Sequence, residues 1–407
     1  MRYLIVIFTL LFAEILLGQA KPFQPSSENF WSYGSNSSSF TLEGVDELYG
    51  YSLLNENNYQ LNLAPVVDGQ FASFEGGQYS FFGGAQIEAK LGQKLFFNFA
   101  LLGGENQADS TLKNYNYKVL SSSPYRMSFQ RNYDINAVMS YSPNSVFNLQ
   151  AGIGKIQLGN GDRSLLLGNY GRNYPYAALS TNIWKFKLLN LYQFFKEDVN
   201  GRSVNKYAST HYLSIDLTPK IELSLFETVV FQPKDTTLNR GYELEYLNPF
   251  ILFRPVEYGL GSSDNIMIGL NLNYKFHRRH MVYSQFILDD GAVPELVNRT
   301  RWWANKYAFQ LGVKGSFLNS KLKYLSELNV VRPFTYSHLN ALQNYSNRGM
   351  VLAHPAGANF IESFTRLHYD INEAWRLNFS FQHMLRGGEN ETPELSYGTD
   401  PYLPYNN

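Results

Sequence analysis

Apolar and polar residues alternate along this chain in runs of about ten, the period of a strand with two unlike faces. Ile266, Ile268, Leu270, Leu272 and Tyr274 interleave with Met267, Gly269, Asn271, Asn273 and Lys275. Trp375, Leu377, Phe379 and Phe381 do the same with Arg376, Asn378, Ser380 and Gln382. The runs come in pairs around turn residues: Phe82 to Leu91 with Lys94 to Gly103, Tyr133 to Tyr141 with Val146 to Gly154, and Tyr176 to Lys185 with Lys187 to Lys196. His211 to Leu217 pairs with Ile221 to Val230, Ile266 to Phe276 with Met281 to Asp289, Lys306 to Phe317 with Lys321 to Val331, and Phe364 to Ile371 with Trp375 to Met384. The pattern predicts seven hairpins. A single strand from about Tyr59 to Val67 before them makes fifteen strands.

Between the hairpins lie longer segments rich in Gly, Pro, Asn, Asp and Tyr, roughly 104–132, 155–175, 197–210, 231–265, 290–305 and 332–363. Tight turn alternating with long loop is the rhythm of an outer-membrane barrel. A soluble sandwich also alternates, with its apolar face inward. Runs matched to a tilted span, with Tyr, Trp and Phe near their ends, favour lipid. The expected fold is therefore all-β: a transmembrane antiparallel up-and-down barrel of about 14–18 strands, with short periplasmic turns and long extracellular loops, in the outer membrane of a Gram-negative bacterium. In that geometry Asp216, Glu222, Lys275, Lys314, Lys323, Glu327, Arg366, His368, Asp370 and Arg376 point into the lumen. Both charges are represented, which favours a plugged, hydrogen-bonded interior over a selective pore.

Residues 1–20 read as a signal peptide, with Arg2, an apolar run from Leu4 to Leu17 and a small-x-small site at Gly18-Gln19-Ala20. Residues 21–57 form a periplasmic N-terminal segment, 58–384 the barrel, and 385–407 a loop after the last complete strand. Fifteen strands leave the last one running outward, and a lipid-exposed strand edge is costly. The expectation is a C-terminally incomplete barrel with a gap between its first and last strands.

Composition narrows the function. The 407 residues contain no cysteine, which removes disulfide scaffolds, thiolate metal sites and cysteine nucleophiles. Lys and Arg number 34, as do Asp and Glu, so no net charge attracts nucleic acid and none is expected as a partner. No nucleophile elbow or phosphate loop occurs. His277 and His280 form only a weak pair at a turn, and Asp289, Asp290 and Glu295 share one loop without the opposed separation that glycoside hydrolysis needs. No catalysis, cofactor or metal is expected.

The long loops hold what strand formation leaves unexplained. One runs from Gly159 through Asp162-Arg163-Ser164 to Tyr174-Pro175; a second carries Tyr246-Leu247-Asn248-Pro249-Phe250, Phe253-Arg254-Pro255-Val256-Glu257-Tyr258 and Gly261-Ser262-Ser263-Asp264-Asn265; a third carries Leu288-Asp289-Asp290 and Arg301-Trp302-Trp303-Ala304-Asn305-Lys306-Tyr307. In these segments, and in their order from Phe71 to Met384, the chain resembles the Wzi family of outer-membrane capsule-assembly proteins, particularly Wzi-like and gliding-motility RemB-like members of Bacteroidota. The resemblance implies a barrel of roughly eighteen strands that acts as a surface lectin or anchor for extracellular polysaccharide. It transfers no individual binding residue. From chemistry alone, sugars are held by aromatic faces and by planar Arg, Asp and Asn groups. The candidate polysaccharide-binding residues are Arg163, Arg172, Tyr174, Arg254, Glu257, Asp264, Asp289, Asp290, Arg301, Trp302, Trp303 and Lys306. The expected partners are extracellular polysaccharide and outer-membrane lipids. The alternative is a porin-like diffusion channel or transporter for small solutes.

Overall fold

The computed structural model describes residues 51–56, 59–72, 78–92, 94–107, 133–199, 201–234, 241–249, 252–260, 264–290, 305–372, 376–387, 397–399 and 401. The strands are β1 (Tyr51–Glu56), β2 (Tyr59–Ala72), β3 (Gln78–Leu91), β4 (Leu95–Gln107), β5 (Tyr133–Tyr141), β6 (Phe147–Gly154), β7 (Tyr174–Ile183) and β8 (Phe186–Val199). They continue with β9 (Arg202–Thr218), β10 (Ile221–Phe231), β11 (Asn265–His277), β12 (His280–Asp290), β13 (Lys306–Phe317), β14 (Leu322–Val331), β15 (Phe360–Asp370) and β16 (Arg376–Arg386). One short helix, α1 (Phe253–Leu260), lies between β10 and β11. All sixteen strands form one sheet in sequence order, each ladder antiparallel. Among the described residues no ladder joins β16 to β1, so the sheet is open where the gap was expected.

All seven expected hairpins are present, with two differences from the sequence reading. β1 adds a strand ahead of the first one expected, which makes sixteen instead of fifteen. The 197–210 segment is not a long loop: β8 runs to Val199, β9 begins at Arg202, and the two pair in register from Val199↔Arg202 to Phe186↔Ile215. Its polar, charged sequence hid the alternation because that hairpin rises past the apolar band and has no lipid face to mark.

Turn chemistry sets the tight ends. Asn144 accepts from the backbone N–H groups of Val146 and Phe147 at 2.9 and 3.0 Å, and Thr218 accepts from Lys220 and Ile221 at 3.2 and 3.0 Å. Trp184, at the β7–β8 turn, is 82% exposed with the Lys185 ammonium 5.1 Å from its ring centroid, the arrangement of an interfacial anchor.

The two faces of the sheet are inverted relative to a soluble protein. On β11 the outward Ile268, Leu270, Leu272 and Tyr274 are 42–49% exposed, whereas the inward Asn271 and Asn273 are buried. Leu377, Phe379 and Phe381 on β16 are likewise exposed, while Gln382 is buried. A protein that hides amides and exposes a continuous band of Leu, Ile and Phe is built for a hydrocarbon surrounding. Of the lumen candidates, Glu222, Lys314 and Glu327 are buried on the inner face. Lys323 and Asp370 form an ion pair at 3.8 Å toward the tight-turn end, and Lys187 pairs with Asp216 at 3.6 Å.

Candidate functional site

Two of the long loops cross the interior. The β6–β7 loop, residues 155–173, buries Leu158, Leu165, Leu166 and Leu167 in the main apolar cluster and closes on itself through the Leu158 to Leu167 backbone bond, 2.9 Å. Its tip, Asn160 to Ser164, reaches the opposite wall. The backbone N–H of Asp162 donates to Glu327 at 2.6 Å, and the Lys314 ammonium donates to the Asn160 carbonyl at 3.0 Å. Leu165 N–H donates to Gln285 at 2.8 Å, and Gln310 donates to the Arg163 carbonyl at 2.9 Å. The Asp162 side chain pairs with Arg366 at 2.6 Å and accepts from the Tyr170 hydroxyl at 2.8 Å. Burial, then the neighbouring Asp162 charge, pushes that phenol well above its ordinary range, so Tyr170 remains a donor.

Arg163 is the pin of this loop. Its guanidinium pairs with Glu362 on β15, contacts Gln382 on β16 at 3.3 Å and lies 4.1 Å over the Phe364 ring. Burial works most strongly against its charge, but Glu362, Tyr170 and Asp162 together outweigh that and hold the arginine protonated. Glu362 also accepts from Asn329 at 2.9 Å, Gln382 at 2.8 Å and His354 Nε2 at 2.8 Å. His354 Nδ1 accepts from the Ala356 backbone N–H at 3.1 Å, so a neutral ring must carry its proton on Nε2. Burial lowers the His354 pKa, against the opposing pull of Glu362.

Glycine makes room for one of these contacts. Gly312 lies between Tyr283 and Glu327 in register, and a Cβ there would meet the Tyr283 ring at 2.2 Å. The tyrosine leans across the gap to donate to Glu327 at 2.6 Å.

The β14–β15 loop, residues 332–359, crosses in the other direction. Lys206 on β9 donates to the Asn344 carbonyl, the Asn344 side chain and the Ser346 hydroxyl at 3.0, 2.8 and 2.8 Å, and pairs with Glu197 at 3.2 Å. Ser346 donates to Glu197 at 2.7 Å. Tyr336 donates to the Leu165 carbonyl at 2.9 Å and so joins the two plugging loops.

The β10–β11 loop behaves differently: it lies against the outer wall. Phe253 and Val256 of α1, with Tyr246, pack onto the outward Val229, Phe231 and Ile266. Tyr246 donates to Asp264 at 2.8 Å, and Gln343 of the plugging loop donates to the same carboxylate at 3.2 Å, linking the outer and inner loops at the rim.

The described candidates thus fall into two groups. Arg163, Tyr174, Asp264, Asp289 and Lys306 are buried ties. Tyr174 accepts from the Ile156 N–H and Gln193 at 3.4 and 3.3 Å, Asp289 accepts from the Tyr336 N–H at 2.8 Å, and Lys306 donates to the Ser337 carbonyl at 2.9 Å while pairing with Asp289 at 3.4 Å. Arg172 is partly exposed beside the 332–359 loop, whose Asn347 donates to its carbonyl at 3.3 Å, and Arg254 is exposed on α1. Glu257 lies on the same helix, and Asp290 ends β12. Arg301, Trp302 and Trp303 lie outside the described residues, as do the signal-peptide region and most of the 104–132 segment. Sequence reasoning missed Glu362, His354, Lys206, Glu197 and Asn344. Alternation on the strand faces could have exposed Glu362 and Lys206, but both fell in segments read as loop.

Among the described residues no group of three His, Asp or Glu could hold a metal ion. Asn190, His211 and Glu227 form a row on adjacent strands with Ser209 two residues before His211, and the Ser209 hydroxyl bonds Tyr242 at 2.8 Å.

No protein-family model matches the chain, and no curated protein matches its sequence. Solved structures define the class: the fold is that of outer-membrane β-barrels. Wzi of Escherichia coli, described as an outer-membrane protein involved in group 1 capsule assembly and a carbohydrate-binding β-barrel, superimposes with a TM-score of 0.56 at 12% identity, over 86% of this chain and 74% of Wzi. A variant of the Rhodopseudomonas blastica porin gives 0.37 at 11% identity, over 79% of this chain and all of the porin. Pseudomonas aeruginosa OccK11 (OpdR) gives 0.36 at 11% identity, over 81% and 95% of the two chains.

Proposed function

We propose that this chain is a Wzi-like outer-membrane surface protein that binds or anchors extracellular polysaccharide, in capsule attachment or in surface adhesion and gliding. The observation that carries the reading is the pair of loops braced across the interior by buried ion pairs and hydrogen bonds. A diffusion channel requires an aqueous path, and braces of this kind oppose one. The carbohydrate-binding description of Wzi, together with the sequence resemblance, supplies the ligand class. Arg172 and Arg254 supply planar polar groups for the contact, Glu257, Asp290, Arg301, Trp302 and Trp303 are candidates by their chemistry alone, and Arg163, Tyr174, Asp264, Asp289 and Lys306 brace the loops.

A deletion strain complemented with wild-type protein or with the W302A/W303A double variant tests this. Wild type should restore cell-bound polysaccharide or surface adhesion, and the double variant should assemble in the membrane but lose about 1–3 kcal/mol of glycan binding, by analogy with aromatic stacking elsewhere. Unchanged polysaccharide and adhesion on deletion would contradict the function. A double variant that fails to insert would instead make the tryptophans interfacial anchors.

A further inference from the structure

The β10–β11 loop lies on the wall that faces lipid, and the residues beneath it show how high it sits. On β10 and β11 the outward Leu225 and Leu270 are opposite one another in the exposed apolar band, 43% and 42% exposed. One outward step toward the long-loop end is the pair Glu227↔Ile268, in which Ile268 is still exposed and Glu227 is buried, and one further is Val229↔Ile266, with both residues buried under the loop. Each step is about 7 Å along a strand. The loop therefore begins roughly where the acyl region gives way to headgroups.

The covered wall is polar where the band ends. Asn190, His211 and Glu227 are directly opposite one another on β8, β9 and β10, and the register places all three on the outward face with Leu179 and Ile268 at either side. Such side chains are expensive against hydrocarbon. α1 covers His211 and Glu227: the Phe253 ring stacks on His211 with centroids 4.2 Å apart, and the Phe253 N–H donates to Glu227 at 2.9 Å. Tyr192 on the same outer wall donates to the Leu247 carbonyl at 2.8 Å, and Tyr242 packs against Phe194 and Tyr207 with centroids at 5.4 and 5.1 Å. The result is an aromatic ring of residues at the level expected of an interfacial girdle.

The outer surface of this cover exposes three leucines beside Glu245, Asn248 and Arg254. Leu244 is 75% exposed, Leu252 68% and Leu247 38%, on a segment continuous with the lipid-facing band.

We propose that the β10–β11 loop is a membrane collar, seated in the outer leaflet with Leu244, Leu247 and Leu252 among the lipid acyl chains. It fixes the depth of the barrel rim on this side and keeps lipid off the Asn190–His211–Glu227 row.

The chain has no cysteine, so single-cysteine variants label cleanly. Leu244→Cys, Leu247→Cys and Leu252→Cys would carry a bimane fluorophore in the full-length barrel, reconstituted in phosphatidylcholine vesicles with acyl chains brominated near the headgroup end. Leu270→Cys serves as the lipid control and the exposed Ser203→Cys, at the tip of the β8–β9 hairpin, as the water control. Quenching by brominated lipid at 244 and 252 should come within about twofold of that at 270, with little quenching by aqueous iodide. Iodide quenching like that at 203, without lipid quenching, would overturn the proposal. Protection from both quenchers, with disulfide cross-linking between copies at 252, would overturn it too and assign the surface to a second copy of this chain. The Leu247 variant provides the same readings if labelling at either other position disturbs folding.

Discussion

The inner wall of β12 to β16 and the inner wall of β3 and β4 carry the same kinds of side chain in different circumstances. On the first, both carboxylate oxygens of Glu327 and of Glu362 have partners, and Asn329 both accepts from Gln310 and donates to Glu362. On the second, Gln86 and Asn98 are buried with neither side-chain atom hydrogen-bonded, and Glu88 has one oxygen without a partner. The difference lies in what stands opposite each wall. The tip of the 155–173 loop brings backbone N–H groups, a carbonyl and the Arg163 guanidinium to β12–β16, and none of these reaches β3 or β4. Loop and wall are therefore one polar unit in which each half supplies partners to the other, although Gln285 Nε2 and Gln310 Oε1 on this wall have no hydrogen bond. Such a unit is worth most when complete and becomes costly when one member is removed.

The largest effect should come from breaking that unit. Arg163→Ala leaves Glu362 buried with its strongest partner gone, and should cost about 3–5 kcal/mol of thermal or denaturant stability and raise hydrogen exchange in the 155–173 loop. A loss under about 1 kcal/mol would mean that the loop is held by its leucines alone.

The opposite wall should respond in the other direction. Replacing Gln86 and Asn98 together by Leu removes orphaned polar atoms, so stability should stay level or rise by about 1 kcal/mol. Destabilisation on the scale of Arg163→Ala would show that these side chains have partners and would erase the contrast between the walls.

The smallest effect is a pH dependence at the joint of the two plugging loops. The groups that face His354 are Glu362 on β15 and Arg163 and Asp162 on the 155–173 loop. Its folded pKa is lowered, chiefly by burial, while in the unfolded chain the ring titrates near its ordinary value of about 6.5. Folding therefore favours the neutral ring. Its contribution is fully present above the ordinary value and is lost as the pH falls through it toward the folded pKa. Unfolding followed between mildly alkaline and mildly acidic pH should show this loss in wild type and less of it in His354→Gln. Identical slopes for the two proteins would remove His354 from the account.

The strands were legible in the sequence because lipid imposes a period-two code on them: Ile268, Leu270, Leu272 and Tyr274 can be read without knowing any partner. β8 and β9 were legible only as far as the lipid reaches, and above it Lys196, Asp198 and Asn205 carry no such code. The braces were half visible. Alternation placed Glu327, Lys314 and Arg366 inside, but nothing in a local pattern says that Asp162, 165 residues before Glu327, supplies its partner. Arg163 was singled out as a planar cation suited to sugar hydroxyls, and in the structure its guanidinium pairs with Glu362 on the wall of its own barrel. The row Asn190, His211 and Glu227 was illegible for the opposite reason: it breaks the lipid code, and only α1, folded back over it, makes that tolerable.

Single-channel recording in planar bilayers tests the central claim, that loops braced across the interior make this barrel a surface anchor instead of a conduit. Wild-type protein should show no steady conducting state, and Arg163→Ala should open intermittently as the 155–173 loop is released. A large, steady conductance from wild-type protein would contradict the account and return the chain to the channel reading.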